Sequence, residues 1–275
     1  MKIKEKIEFI DEIRKFNIET EYIIVKPNWV SNKFGEYTEP EIIDWLFESF
    51  PKQKKIVIES YTPWRGLNGT KINADLIEGK KFWEDYQNQD REFLKETGNE
   101  KILKKHKVEY INITNEVWAN RCIEPEIIKK EVNNIKFEEF YGYIPEKIYK
   151  LKNKSTLISL AKIKTEEENK KIIVSLSIKN LFGLIPDPKR DKYHRNNDKN
   201  IFQAIIDIFK IYTSIFRSTL WINEGIRTLV NHYCTDDQTI EKNKNLLFVG
   251  KNPIEVDSGT CWAMGVDPNK ILYLK

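Results

Sequence analysis

The stretch that decides the fold is YIIVKPN, residues 22–28. Its first four residues form a continuous apolar run, which is typical of a strand buried on both faces of a parallel sheet. A second run of this kind, IVI at residues 56–58, follows an amphipathic segment. A strand, a helix and a strand in succession predict a crossover that joins two parallel strands.

The helix of this crossover has a start signal of its own. Thr38 carries a hydroxyl that can accept a backbone hydrogen bond as an N-cap, and Glu41 follows three residues later, as in a capping box. We therefore expect Thr38 to cap the helix and Phe50 to lie on its apolar face.

Further apolar runs extend this pattern along the chain. They predict strands near residues 108–113, 156–161, 220–222, 246–249 and 272–274, and an amphipathic helix is expected over residues 197–215. The sequence therefore predicts an α/β fold with a mixed, largely parallel sheet and helices on both faces.

A length of 275 residues suits one large domain, and we interpret residues 1–275 as a single domain. Apolar periodicity is mixed between residues 117 and 150, and two alternatives stay open for that stretch. It either continues the domain without a break or forms an inserted lobe.

Composition narrows the classes of partner. The 46 Lys and Arg residues stand against 42 Asp and Glu residues, and acidic residues interrupt nearly every lysine run, which argues against nucleic-acid binding. No window approaches the roughly 20 apolar residues of a membrane-spanning helix. Residues 1–16 lack the apolar stretch of a signal peptide. We therefore expect a soluble, cytoplasmic protein.

The cysteines argue against two kinds of site. Cys122, Cys234 and Cys261 are odd in number, far apart and free of any Cys-x-x-Cys spacing. That pattern is not the pattern of a disulfide framework, a zinc ribbon or a self-contained iron–sulfur site. We expect buried thiols.

Polar side chains recur near the ends of the predicted strands and helices. Ligands of open α/β sheets usually bind at the carboxyl ends of the strands, and lysine and amide groups there can bind a carboxylate or a phosphate through hydrogen bonds. The ordinary alternative for any one lysine is a solvated surface position. The candidate ligand-binding residues are Lys26, Asn28, Lys162, Lys164, Lys179, Asn180 and Lys189.

Three further residues are candidates for acid–base chemistry. His194 has an unperturbed pKa near 6.5, which suits proton transfer. Glu224 and Asp257 could each act as a general base, although Asp257 could equally cap a helix or pair with a lysine. These three residues lack the tight spacing of a metal site, and no metal is predicted.

Several separated segments together resemble the family known as domain of unknown function 362. They are KPNWV (26–30), LAKIKT (160–165), IKNLFGLIP (178–186), PIEVD (253–257) and MGVDP (264–268). Their order covers most of the chain, and KNLFG is the most specific string. The resemblance implies a fold and a site, but no established reaction.

The chain also departs from the family pattern. Members commonly carry Lys-x-His where this chain has KTE at residues 164–166, and a second Glu-Gly-x-Gly-Pro element is replaced by residues 228–234. Many relatives carry ferredoxin-like cysteine clusters, which imply electron transfer for those members. The three scattered cysteines here cannot hold such a cluster.

These observations lead to one expected function and two alternatives. The expected function is the binding of a small anionic metabolite by Lys164, Lys179 and Lys189, with one of the three acid–base candidates moving a proton. The first alternative is a noncatalytic module that binds an anionic ligand or a partner protein. The second is a redox protein that depends on a separate electron-carrier protein. The sequence decides neither whether the chain is an enzyme nor which cofactor it uses.

Overall fold

A computed structural model describes residues 1–2, 5–66, 72–165, 174–194, 199–230, 240–242 and 244–275. The described strands form one eight-stranded sheet. Their bounds are β1 Tyr22–Lys26, β2 Lys54–Glu59, β3 Glu109–Asn112, β4 Ser155–Thr165, β5 Val174–Ser175, β6 Ser218–Val230, β7 Ile240–Lys242 and β8 Leu246–Gly250.

The sheet is mixed and largely parallel, as predicted. Strands β3, β2, β1, β4 and β6 lie side by side in that order, and each neighbouring pair is parallel. The short strand β5 pairs antiparallel with the end of β4, while β7 and β8 pair antiparallel with β6. The central strand β4 is buried along its whole length.

Helices cover both faces of this sheet, which confirms the predicted architecture. Alternate residues of a strand point to opposite faces, so Ile23 of β1 packs with the first two helices while Ile24 packs with the tenth. The helix bounds are α1 Lys6–Arg14, α2 Pro40–Ser49, α3 Leu76–Gly79, α4 Trp83–Glu96, α5 Asn99–Lys105, α6 Ile113–Trp118, α7 Pro125–Glu131, α8 Glu146–Leu151, α9 Ser177–Asn180, α10 Lys199–Ile215 and α11 Pro253–Ala263.

The order of the strands leaves a crevice at the carboxyl edge of the sheet. From β1 the chain builds β2 and β3 on one side, and it then crosses back to place β4 on the other side of β1. The direction of winding therefore reverses between β1 and β4. In open α/β sheets such a reversal leaves a crevice beyond the carboxyl ends of the two strands, where ligands bind.

Residues 117–150 contribute to the main core. Ile128, Phe140 and Ile148 belong to the same buried cluster as Ile24 of β1 and Ile56 of β2. The described side chains of this stretch therefore pack together with the sheet.

Two local predictions are wrong. Helix α2 has Glu39 as its N-cap and Pro40 in its first turn, while the hydroxyl of Thr38 accepts from the backbone N–H of Asn28 at 2.8 Å. The hydroxyl fixes the loop after β1 and is not available to the helix. Residues 272–274 form a 3-10 helix in which Tyr273 is buried, and its hydroxyl donates to the carbonyl of Val174.

No helix in the described part of the chain combines the length and the apolar character that crossing a bilayer requires.

Candidate functional site

A cavity of about 270 Å³ lies beyond the carboxyl ends of β1 and β4, where the winding of the sheet reverses. A water molecule occupies about 30 Å³ of liquid, so the cavity has room for roughly nine waters or one small metabolite. Seven of the predicted site residues line it: Lys26, Asn28, Lys164, Lys179, Asn180, Lys189 and His194.

Lys26 ends β1 and is buried with all its donors occupied. Its Nζ donates to Glu59 Oε1 at 2.5 Å, to the carbonyl of Pro27 at 2.7 Å and to Asn180 Oδ1 at 3.4 Å. An ammonium has three donors, so none is left for a ligand. Burial lowers the pKa of Lys26 to about 8, although Glu59 opposes that shift. Lys26 therefore positions its neighbours and does not itself reach a guest.

Glu59 ends β2 and joins two buried cations. Besides Lys26, it lies 3.2 Å from Arg65, which also pairs with Asp90 at 2.6 Å. Arg65 further donates to the carbonyl of Trp29, which ties the loop after β1 to the loop after β2. Sequence reasoning missed Glu59, even though it directly follows the apolar run at residues 56–58. The rule that ligands of open α/β sheets bind at the carboxyl ends of the strands could have identified it.

The two asparagines of the cavity form one oriented pair. Asn180 Nδ2 donates to the carbonyl of Lys26 at 3.0 Å and to Ser159 Oγ at 3.1 Å, and its Oδ1 accepts from Asn28 Nδ2 at 3.1 Å. Asn28 Oδ1 is buried and accepts from none of the described residues. The amide pair therefore ties the loop after β1 to the end of α9, and one buried acceptor has no donor in the described part of the chain.

Lys179 is the cavity lysine with the least compensated charge. It is half-buried in helix α9, and its Nζ donates to Ser175 Oγ at 3.2 Å. No carboxylate of the described residues lies within salt-bridge distance of this amine, and two of its donors stay available. By contrast, Lys189 lies 3.3 Å from Asp191, and Lys164 is electrostatically coupled to Glu36.

Arg190 lines the cavity but was not among the residues predicted from the sequence. Its Nε and Nη2 donate to backbone carbonyls of Tyr61, Gly183 and Ile185, which fix the guanidinium. Its Nη1 donates to none of the residues that the structure describes. The backbone of Arg190 has a φ of 54°, a left-handed conformation that is uncommon outside glycine and clusters at functional sites. Burial lowers the pKa of Arg190. The basic composition of residues 186–194 is the sequence feature that could have identified Arg190 as a cavity residue.

His194 lies at the mouth of the cavity. It ends the 3-10 helix Asp191–His194, is exposed, and contacts the ring of Phe182 edge-on at 6.2 Å between centroids. The loop after β2 contributes Thr62, Pro63 and Trp64 to the same lining. The protein therefore places its cavity histidine beside a cluster of cations.

Lys162 and Glu224 do not line the cavity; they lie within β4 and β6, in a buried ion cluster with Glu39 at the start of α2. Lys162 Nζ is 2.9 Å from Glu39 and 3.1 Å from Glu224. Burial raises the pKa of Glu224 to about 7, although Lys162 opposes that shift. The two carboxylates in turn raise the pKa of Lys162. One buried cation is thus shared by two carboxylates.

Asp257 is also buried and does not line the cavity. It accepts hydrogen bonds from the backbone N–H groups of Ser177 and Ile178, from Ser177 Oγ and from Asn223 Nδ2. Burial raises the pKa of Asp257 to about 6. This carboxylate anchors the start of α9, the helix that presents Lys179 and Asn180 to the cavity.

A second, larger groove lies at the opposite edge of the sheet. Its volume is about 990 Å³, and it runs beside the amino ends of β1, β2 and β3. Several of its cations have carboxylate partners at the surface, including the pairs Lys54–Glu21, Arg121–Glu116 and Lys150–Glu146. We therefore place the candidate site at the carboxyl edge.

No group of three or more acidic, histidine or cysteine residues suited to a metal occurs within the described ranges. Cys122 and Cys261 are free thiols, and Cys234 lies outside those ranges.

Comparison with curated proteins found no match, and comparison with solved structures also found none. The family model for a domain of unknown function (DUF362) matches residues 23–262, which include β1 except its first residue and all the cavity residues described above. The chain therefore belongs to this family of unknown function.

Proposed function

We propose that this chain binds a small anionic metabolite, carrying a carboxylate or a phosphate, in the cavity at the ends of β1 and β4. The observation that carries the proposal is the ammonium of Lys179 in that cavity, which has no carboxylate partner among the described residues. A cation held partly out of water without a counter-ion costs free energy, and an anionic ligand removes that cost through charge-assisted hydrogen bonds.

Arg190 supports the same proposal. Its guanidinium is held in place by backbone carbonyls, and Nη1, which donates to none of the described residues, can donate to a guest. A guanidinium fixed before binding loses little entropy when it accepts an anion. Lys164 and Lys189 add positive potential around the same cavity, although each has an acidic neighbour.

A proton-transfer step would fall to His194 in this arrangement. Of the three acid–base candidates it is the one that lines the cavity, whereas Glu224 and Asp257 are buried elsewhere. If His194 moves a proton, the chain is an enzyme. If it only donates a hydrogen bond, the chain is a noncatalytic binding module.

A thermal-shift screen of carboxylates and phosphate esters tests the binding proposal. We expect at least one anion to raise the melting temperature of the wild-type protein. The same anion should bind Lys179→Ala at least about tenfold more weakly. Lys210→Ala is the matched control, because Lys210 is an exposed lysine of helix α10. Equal stabilisation of all three proteins would contradict the proposed site.

The enzyme and the noncatalytic module differ in a second experiment. Turnover of the stabilising anion by wild type, lost in His194→Ala while binding is retained, would identify an enzyme. Binding without turnover would favour the module. Electron transfer would require a separate carrier protein, and no described feature favours it over anion binding. We place the proposed function in the cytoplasm, which cell fractionation tests.

A further inference from the structure

The described lining of the cavity carries an excess of basic side chains. Glu59 is the one acidic residue among the described residues that line it, and its carboxylate is already shared between two buried cations. Five basic side chains line the same cavity: Lys26, Lys164, Lys179, Lys189 and Arg190. The charge that a ligand meets depends on how many of these five have an acidic neighbour.

Three of the five have one. Lys26 Nζ lies 2.5 Å from Glu59. Lys189 Nζ lies 3.3 Å from a carboxylate in the next turn of the chain, and Lys164 is coupled electrostatically to a carboxylate of the loop after β1. Each of these neighbours offsets the positive charge of its partner, so these three lysines contribute little net charge to the cavity.

Lys179 and Arg190 are the two that remain. No carboxylate of the described residues lies within salt-bridge distance of either side chain. Glu59 and Asp187 act on Arg190 from farther away, and Asp187 is itself paired with Lys192 at 3.6 Å. Nη1 of Arg190 has no partner among the described residues and is not one of the buried unpaired atoms, so it keeps accessible surface.

We infer that the metabolite carries two negative charges, so that it is a small phosphate monoester or a small dicarboxylate. This inference rests on the proposed function and names the ligand class of the same site. A cavity of about 270 Å³ has the volume of a sphere about 8 Å across, so a ligand in it interacts with both cations at short range and with little screening. A monoanion would leave one of the two cations without a counter-ion, which costs free energy in a site partly removed from water.

Matched anions that differ by one negative charge test this inference. The pairs are methyl phosphate with dimethyl phosphate, and succinate with succinamate, titrated into the full chain by calorimetry. The titrations are done at about pH 8, where a phosphate monoester is doubly ionised because its second pKa is about 6. We expect the dianion of at least one pair to bind at least about tenfold more tightly than its monoanion. The pair with the larger preference distinguishes a phosphate ligand from a dicarboxylate.

Variants of Lys179 connect the preference to this site. Lys179→Ala removes one of the two cations, so the affinity ratio within the pair should fall severalfold toward one. Lys179→Arg keeps the charge and should keep the preference for the dianion. Lys210→Ala removes an exposed lysine of helix α10 and should change neither affinity. Titrations of the wild-type protein decide the matter even if a Lys179 variant does not fold.

Each result has a distinct consequence. Equal affinity within both pairs, lost in Lys179→Ala, would overturn this inference and leave the proposed function standing. A preference for the dianion that Lys179→Ala leaves unchanged would also overturn it. Binding of none of the four anions would overturn it as well, while the thermal-shift screen decides the proposed function separately.

Discussion

Gly183 lies against the buried amine of Lys26. A Cβ added at Gly183 would come within 2.8 Å of Lys26 Nζ and 3.0 Å of its Cε. Because three protein acceptors hold that amine, it cannot move aside without losing hydrogen bonds. We expect Gly183→Ala to lower the free energy of unfolding by about 1–3 kcal/mol, measured by urea denaturation.

Gly142→Ala is the matched control for this prediction. A Cβ at Gly142 would meet Pro125 Cγ at 3.5 Å, an ordinary contact. Its effect should stay within about 0.5 kcal/mol. Similar losses of unfolding free energy in the two variants would mean that the contact with Lys26 is not the reason why Gly183→Ala is destabilising.

At the residue scale, the sequence predicted cavity residues better than it predicted their roles. Lys26 and Asn180 were expected to bind ligand because they lie at the ends of predicted elements, and both line the cavity. Their hydrogen bonds join residues 154 positions apart. The fold decides which donors these residues keep available for a ligand. No local sequence pattern gives this information. For the same reason the orphan acceptor of Asn28 could not be predicted.

At the element scale, Asp257 connects helix α11 to the start of helix α9. It accepts from two backbone N–H groups of α9, which otherwise have no partner in the first turn of a helix. In Asp257→Asn one of the two acceptors becomes a donor that faces other donors. We expect the free energy of unfolding to fall by about 2–4 kcal/mol. Anion affinity should fall with it, because α9 carries Lys179.

Asp267→Asn serves as the control for Asp257→Asn. Asp267 Oδ1 accepts from the backbone N–H of Asn269 near the surface, and an asparagine keeps that acceptor. Urea denaturation of both variants compares how much each carboxylate contributes to the free energy of unfolding. Equal, small effects would argue against an anchoring role of Asp257, and loss of turnover in a stable Asp257→Asn protein would restore it as a catalytic candidate.

The ion cluster between α2, β4 and β6 makes stability depend on pH. Burial raises the pKa of Glu224 from its ordinary 4.5 to about 7 in the folded state. The folded protein therefore takes up a proton more readily than the unfolded chain. The resulting stabilisation is fully present below about pH 4.5 and is lost as the pH rises through about 7.

Glu224→Gln removes this dependence. The free energy of unfolding of wild type, relative to the variant, should rise by on the order of 2 kcal/mol between about pH 8 and pH 5. Asp257 titrates in both proteins, so its contribution cancels. A difference that is constant with pH, or that falls toward pH 5, would contradict the raised pKa.

Elements with strong apolar runs were predicted well, and elements defined by tertiary contacts were not. The run at residues 22–25 gives all but the last residue of β1, and the run at 56–58 gives half of β2. Residues 272–274 form a short apolar run like that of a strand but fold as a 3-10 helix, because burial of Tyr273 against other elements decides their conformation. Tertiary packing overrode local propensity there.

At the scale of the whole molecule, residues 117–150 share their core with the sheet. Ile128 and Phe140 pack in the same cluster as Ile24 and Leu157. We therefore expect one cooperative unfolding transition, with coincident urea curves from tryptophan fluorescence and far-ultraviolet circular dichroism. Two separated transitions would indicate that this stretch unfolds as an independent lobe.

The strand order is the feature of the whole molecule that the sequence did not specify. Apolar runs predicted parallel strands, but the position of β4 beside β1 arises from a crossover back across the sheet. That order brings Asn28 next to Asn180 and opens the cavity between them and Lys179. The candidate site is thus a consequence of topology.

A crystal structure of the protein with the carboxylate or phosphate ester that stabilises it most tests the central claim most directly. We predict that the anionic group lies in the cavity at the ends of β1 and β4, within hydrogen-bond distance of Lys179 Nζ and Arg190 Nη1. An anion bound only in the groove at the amino edge of the sheet, beside Lys55 and Lys107, with solvent alone in the cavity, would contradict it.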